Sequence, residues 1–263
     1  MVSKKYICEK GDKSTVVVQD MALELKEDPT LIFGLASVGL IGPIIAETLI
    51  KQIDDMKQIG FVASDLLPPI AVFHNAELMH PFRLYYTKKY NILLGIAEVP
   101  FEAKSAYNDL AKTIFNWALS DNINAKEIIT FQGIPQKGMI DEFPVYYAAE
   151  NNSIKEFEEL GIEKIDKGII TGPGATLINN ALNHTINPIV LFTPVYKIAT
   201  PEGAASIIEV LNELYGMDIN TDELMEKGRE IKKKMKDLAQ KAQQYRSKQV
   251  AGSQKGTPYP LYQ

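Results

Sequence analysis

Residues 31–50 read LIFGLASVGLIGPIIAETLI, and the fold is decided there. Leu31–Leu35 is a short, continuous apolar run, the pattern of a strand buried on both faces. The glycines Gly34, Gly39 and Gly42 follow closely, and a helix candidate runs over Ile41–Ile53. A buried strand, a glycine turn and an apolar helix in succession make the opening of a layered α/β unit.

The same alternation continues outward. Further strand candidates are Thr15–Val18, Ile59–Ala63, Arg83–Thr87, Ile92–Val99, Glu127–Gln132, Val145–Ala149, Gly168–Thr171 and Pro188–Thr193. Several are rich in Val, Ile, Phe and Tyr and stop at Gly or Pro. Helices are predicted near Ser105–Ser120, Ile154–Leu160, Thr176–Asn183 and Pro201–Tyr215. The last is well marked: Thr200 suits the N-cap, Pro201 the first helical position and Gly216 the stop. Residues 1–219 therefore read as one α/β domain with a layered, mostly parallel sheet flanked by helices. Leu31–Leu35 and Ile128–Phe131 are its expected buried strands.

Residues 220–248 differ in kind. Asn220 with Glu223 resembles a capping box, and Thr221 is an alternative cap. Leu224, Gly228, Ile231, Met235, Leu238, Ala242 and Tyr245 then recur at spacings of 4, 3, 4, 3, 4 and 3. That heptad seam predicts a long helix over Asp222–Arg246, about 25 residues or 38 Å. Small residues at Gly228 and Ala242 weaken the seam, so it suits either packing on its own domain or self-association. For the latter the contact residues are Ile231, Met235 and Leu238. Residues 249–263 form the third region; Gly252, Ser253, Gly256, Pro258 and Pro260 argue against helix. This tail nevertheless ends in Tyr259, Leu261 and Tyr262, which suits a recognition peptide.

Composition narrows the class. The chain has 263 residues, 46% of them hydrophobic and 23% charged, as in ordinary globular proteins. No apolar run approaches the ~20 residues that span a bilayer. The opening MVSKKYICEK has no apolar stretch after its lysines, so no secretory signal is expected. Cys8 is the single cysteine, which excludes an internal disulfide and a Cys-rich zinc site. A cytoplasmic protein without a membrane partner is the expectation. The net charge of −5 is uneven: residues 227–248 carry nine Lys/Arg against Glu230 and Asp237, whereas residues 1–226 sum to −13. An acidic body with a basic helix could meet an acidic partner, or the helix face could simply be solvated. Nucleic-acid binding through Lys232–Lys234 is a poor candidate without interleaved aromatics, and it would show steep salt dependence.

Catalytic motifs are not found. In the first glycine turn Ala36 stands where G-x-G-x-x-G needs its second glycine, and no Gly-Lys-Ser/Thr is present. The turn TGPGAT, with Gly172, Pro173 and Gly174, occupies a similar place. Close strand-to-helix packing is the preferred reading of both turns, and phosphate binding is the alternative. His74, His80 and His184 give no metal-ligand spacing. His80, in HPFRLYY, reads as a strand entry. Ser37 lacks a nucleophile-elbow pattern. No cofactor, no metal and no catalytic residue is expected.

Three segments together, GLASVGLIGPIIAETLI, TGPGATLINN and TPEGAASIIEVLNELYG, resemble the proteasome assembly chaperone 2 (PAC2) family. The likeness extends from about residue 5 to residue 246. Gly34, Val38, Gly39 and Gly42 keep the family's G-x-x-x-V-G-x-x-G turn, while Ala36 and Ser37 replace a common proline and glycine. The resemblance implies a phosphorylase-like α/β fold without phosphorylase catalytic residues, hence a non-enzyme. It also implies homo-oligomers, with four or five subunits both plausible. Leu261-Tyr262-Gln263 then matches the hydrophobic–Tyr–any-residue terminus by which proteasome activators and assembly chaperones engage the 20S α-subunits. The expected function is a proteasome-binding assembly chaperone, ATP-independent activator, or both. A small-molecule enzyme of nucleoside-phosphorylase type is the alternative.

Overall fold

The computed structural model describes residues 3–7, 15–20, 25–99, 104–120, 123–150, 154–184 and 186–253. Its strands are β1 (Ser3–Ile7), β2 (Thr15–Asp20), β3 (Thr30–Leu35), β4 (Lys57–Ser64), β5 (Val72–His74), β6 (Glu77–Met79), β7 (Phe82–Thr87), β8 (Ile92–Ala97), β9 (Glu127–Pro135), β10 (Tyr146–Ala149), β11 (Glu163–Lys164) and β12 (Asn187–Val195). The helices are α1 (Ile41–Gln52), α2 (Lys104–Ala118), α3 (Ile154–Glu159), α4 (Pro173–Leu182), α5 (Pro201–Tyr215) and α6 (Asp222–Ser253).

One ten-stranded sheet carries the fold, in the order β1-β2-β4-β7-β8-β3-β9-β12-β10-β11. Its centre, β8-β3-β9-β12, is parallel, as the strand–helix alternation requires. Towards β1 the sheet continues as an antiparallel meander, and β10 also joins β12 antiparallel. Strands from the first 97 residues fill one side of the order, and those from 127 onward fill the other. β5 and β6 form a separate hairpin, turned at Asn75 and Ala76 with φ of 49° and 67°. Those left-handed values are what a two-residue hairpin loop demands.

Helices cover both faces. Alternation along the strands assigns Ile32, Leu94, Ile129 and Leu191 to a core shared with α1, α3 and α5. Leu31, Phe33, Leu93 and Ile128 face the other way and pack with α2 and α4. Both expected buried strands are therefore central. β3 is buried at every position, because helices close both its faces and strands both its edges.

Local signals held at α5: Thr200 is its N-cap residue, Pro201 its first residue and Gly216 its left-handed stop at φ 60°. The Thr200 hydroxyl accepts from Tyr196 N–H and donates to Ile198 O instead of capping. Two expectations are corrected. Gly168–Thr171 is irregular, not a strand, and Ile169 is 92% exposed. The edge position goes to Glu163–Lys164, paired with β10 through backbone alone. The helix α6 runs on to Ser253, beyond the Lys248 boundary and through Gly252.

Candidate functional site

The glycine turn is built by contact. A Cβ on Gly34 would lie 2.5 Å from the Gly42 carbonyl oxygen and 2.6 Å from Ala46 Cβ, and one on Gly42 would lie 2.6 Å from Leu35 O. β3 and α1 thus meet backbone to backbone. Gly39, at φ +80°, is pressed against Val195. The turn's amides are partly engaged, since Ala36 N–H donates to Ala97 O and Leu40 N–H to Ser37 O. Packing accounts for this turn. The second turn is different: Gly172 is the N-cap of α4 at φ +88°, and neither it nor Gly174 has a neighbour that a Cβ would meet. Close packing is therefore not the reason for those two glycines, and backbone conformation accounts for Gly172 alone.

The carboxyl ends of β3 and β8 form a switch point, because α1 leaves towards one face and α2 towards the other. Open α/β sheets place ligands in such crevices. Here the position holds an ion-pair cluster. Buried Arg83 on β7 donates to Glu98 Oε1 at 2.6 Å, to His80 O at 3.0 Å and, through Nε, to the Tyr85 hydroxyl at 3.0 Å. His74 Nε2, from the hairpin, donates to the same Glu98 oxygen at 3.0 Å. Burial pulls the Glu98 carboxyl up, but hydrogen bonds from Arg83 and His74 outweigh it and hold the group below its ordinary value. Glu47 on α1 approaches from the side; desolvation and then the Glu98 charge push its carboxyl up.

Glu47, His74 and Glu98 bring ligand-type atoms within 4.8 Å of one another. A cation there would displace the His74 N–H and face the Arg83 guanidinium, so the donor set suits an ion-pair hub better than a metal centre. Sequence spacing missed this cluster because its members come from α1, β5, β7 and the end of β8. The one signal on offer was an arginine inside the apolar run FRLYY. Ser37 Oγ is buried and, among the described residues, makes no hydrogen bond, so no base is placed to activate it. His80 stacks on Phe61 with ring centroids 3.6 Å apart, just before β7, as a strand entry would.

The long helix begins with an Asx turn: Asn220 Oδ1 accepts from Asp222 N–H at 2.8 Å, while Asn220 N–H donates to Gln52. Glu223 does not close a capping box. It binds Lys227 at 2.7 Å and Lys51 at 2.9 Å, which push its carboxyl down to about 2. Leu224 enters the core beside α1 and α5, and Gly228 abuts Glu202 on α5. Ile231 lines a cavity of about 350 Å³ between α1 and α6. Ile231 and Met235 are half-buried, while the Leu238 side chain lies outside the described residues. Lys232 closes the contact, donating to Ile140 O at 2.8 Å and pairing with Asp141 at 3.0 Å. The start of the seam therefore packs within its own subunit. Leu261, Tyr262 and Gln263 lie outside the described residues.

A family model described as the PAC2 family matches residues 31–239. An uncharacterized protein of Methanocaldococcus jannaschii is 26% identical over 238 residues, covering 90% of this chain and 93% of its own. Among solved structures, Pyrococcus furiosus PbaA, an archaeal homolog of proteasome-assembly chaperone, is 28% identical at a TM-score of 0.73, over 88% of this chain and 97% of that one. Pyrococcus furiosus PbaB, an archaeal proteasome activator, shares the fold at a TM-score of 0.76 with 18% identity, over 87% and 100%.

Proposed function

The chain belongs to the PAC2 family, and from that premise we propose that it is a non-enzymatic protein that docks its C-terminal tails into the 20S proteasome α-ring. The observation that carries the reading is the 28% identity to PbaA across nearly the whole of both chains. Leu261-Tyr262-Gln263 supplies the docking element. The terminal carboxylate pairs with a lysine between adjacent α-subunits, the Tyr262 ring fills apolar surface, and Leu261 adds buried area. Pro258 and Pro260 stiffen the approach and reduce the ordering cost. A single tail binds weakly, and a homo-oligomer of four or five subunits presenting several tails gains about 10²–10⁴-fold by avidity. Among the described residues no helix is long and apolar enough to cross a membrane, which is compatible with work beside cytoplasmic proteasomes.

Close packing of Gly34, Gly39 and Gly42 supports this reading over a phosphorylase-type enzyme, since it leaves little room for phosphate at that turn. The test is co-migration of the full chain with purified 20S particles. Tyr262→Ala should abolish binding while leaving the melting temperature unchanged, and deletion of Gln263 should impair it. Peptide hydrolysis separates the two uses: an activator raises 20S turnover, and a pure assembly chaperone does not. A Tyr262→Ala protein that binds as well as the parent would sink the tail mechanism.

A further inference from the structure

Between the α3–β11 segment and α5 lies an open groove of about 900 Å³. Its floor is apolar and half-buried, formed by Val145, Ile162 and Val210. Exposed glutamates stand on both sides of that floor. Glu159 and Glu163 belong to the α3–β11 wall, Glu209 and Glu213 to the α5 wall, and Glu142 lies just before β10. Glu209 and Glu213 are one helical turn apart, so α5 lines up two acids along its wall.

Among the described residues no lysine, arginine or histidine pairs with any of these five glutamates. Like charges gathered round one apolar strip repel one another, and cations brought by a partner relieve that repulsion. The chain shows this chemistry beside the groove. There Lys232 of α6 pairs with Asp141 at 3.0 Å and donates to Ile140 O, next to Glu142.

We propose that the groove docks a basic amphipathic helix of a different protein. The apolar stripe of that helix covers Val145, Ile162 and Val210. Lysines or arginines on its two flanks pair with Glu159 and Glu163 on one wall and with Glu209 and Glu213 on the other. An extended segment fits less well, because its side chains alternate between facing the floor and facing away, which leaves none for the walls. The inference does not depend on proteasome docking, because no proteasome enters its test.

Fluorescence anisotropy with the full chain tests it. The probe is a labelled peptide of about 18 residues, with leucine along one helical face and lysine on both flanks. It should bind the parent, whereas twin peptides with glutamate for lysine, or serine for leucine, should not. Glu159→Gln with Glu213→Gln should weaken binding at least tenfold, and Val210→Gln should do the same. Glu226→Gln with Glu230→Gln, on α6 and outside the groove, should leave it unchanged. Circular dichroism melts identify folded variants, and the Glu159 and Glu213 pair decides alone if Val210→Gln does not fold. A parent that binds no probe, as when α6 of the same or another copy already fills the groove, would overturn the proposal. So would groove variants that bind like the parent, an equal loss in the α6 pair, or equal binding of the lysine–serine peptide.

Discussion

Glu47 and Glu98 share one cluster yet titrate in opposite directions, and the signs give a test. The Glu98 carboxyl is held below its ordinary value in the folded chain. Its contribution to stability is therefore complete above the ordinary carboxylate range and is lost as pH falls through the lowered value. The Glu47 carboxyl is held above its ordinary value, so its ionised form opposes folding at neutral pH. Glu47→Gln should raise the melting temperature at pH 7, and the gain should vanish on acidification below the ordinary glutamate range. Glu98→Gln should lower the melting temperature at pH 7 by loosening buried Arg83, with the loss shrinking in acid. Thermal melts from pH 3 to 8 read both. A Glu47→Gln protein no more stable than the parent at pH 7 would show that solvent screens the pair.

Among the elements, the α5–α6 contact depends on one missing side chain. In an exposed helix Gly→Ala ordinarily stabilises by up to ~1 kcal/mol. At Gly228 the added methyl would run into the Glu202 carboxyl, so Gly228→Ala should cost about 1–3 kcal/mol by overpacking. Among the described residues Glu202 Oε2 is buried without a hydrogen-bond partner, so Glu202→Ala should cost little and should rescue Gly228→Ala in the double variant. Urea denaturation measures the cycle, and additive losses would refute the coupling. The seam residues Leu224 and Gly228 were legible from their spacing, but spacing does not say which surface they meet. Elements with side-chain signatures were readable, such as Thr200-Pro201 opening α5 and Gly216 ending it. Glu163–Lys164 was not, because backbone bonds alone make it a strand. Gly168–Thr171 misled because its isoleucines look buried, and Ile169 is not. The ion-pair cluster was illegible for the same kind of reason, since only the assembled sheet brings Glu98 to His74.

The whole molecule is a sheet with a protected centre and open ends. β3 and β9 are paired on both edges and covered on both faces, whereas β1 and β11 are the terminal strands. Native-state hydrogen exchange should find the slowest amides in β3 and β9 and the fastest strand amides in β1 and β11. Equal protection across the sheet would mean that it opens only as one unit. The strand order has one more consequence, for the chain during its own synthesis. Every strand on the β1 side, β3 included, is complete by residue 97, so a six-stranded half can assemble on the ribosome before its neighbour exists. β3 is then a raw apolar edge awaiting β9, which begins 30 residues later at Glu127. At about 5–20 residues per second that wait lasts roughly 2–6 s, the interval in which a nascent chain of this protein is most exposed to pairing with a neighbouring one.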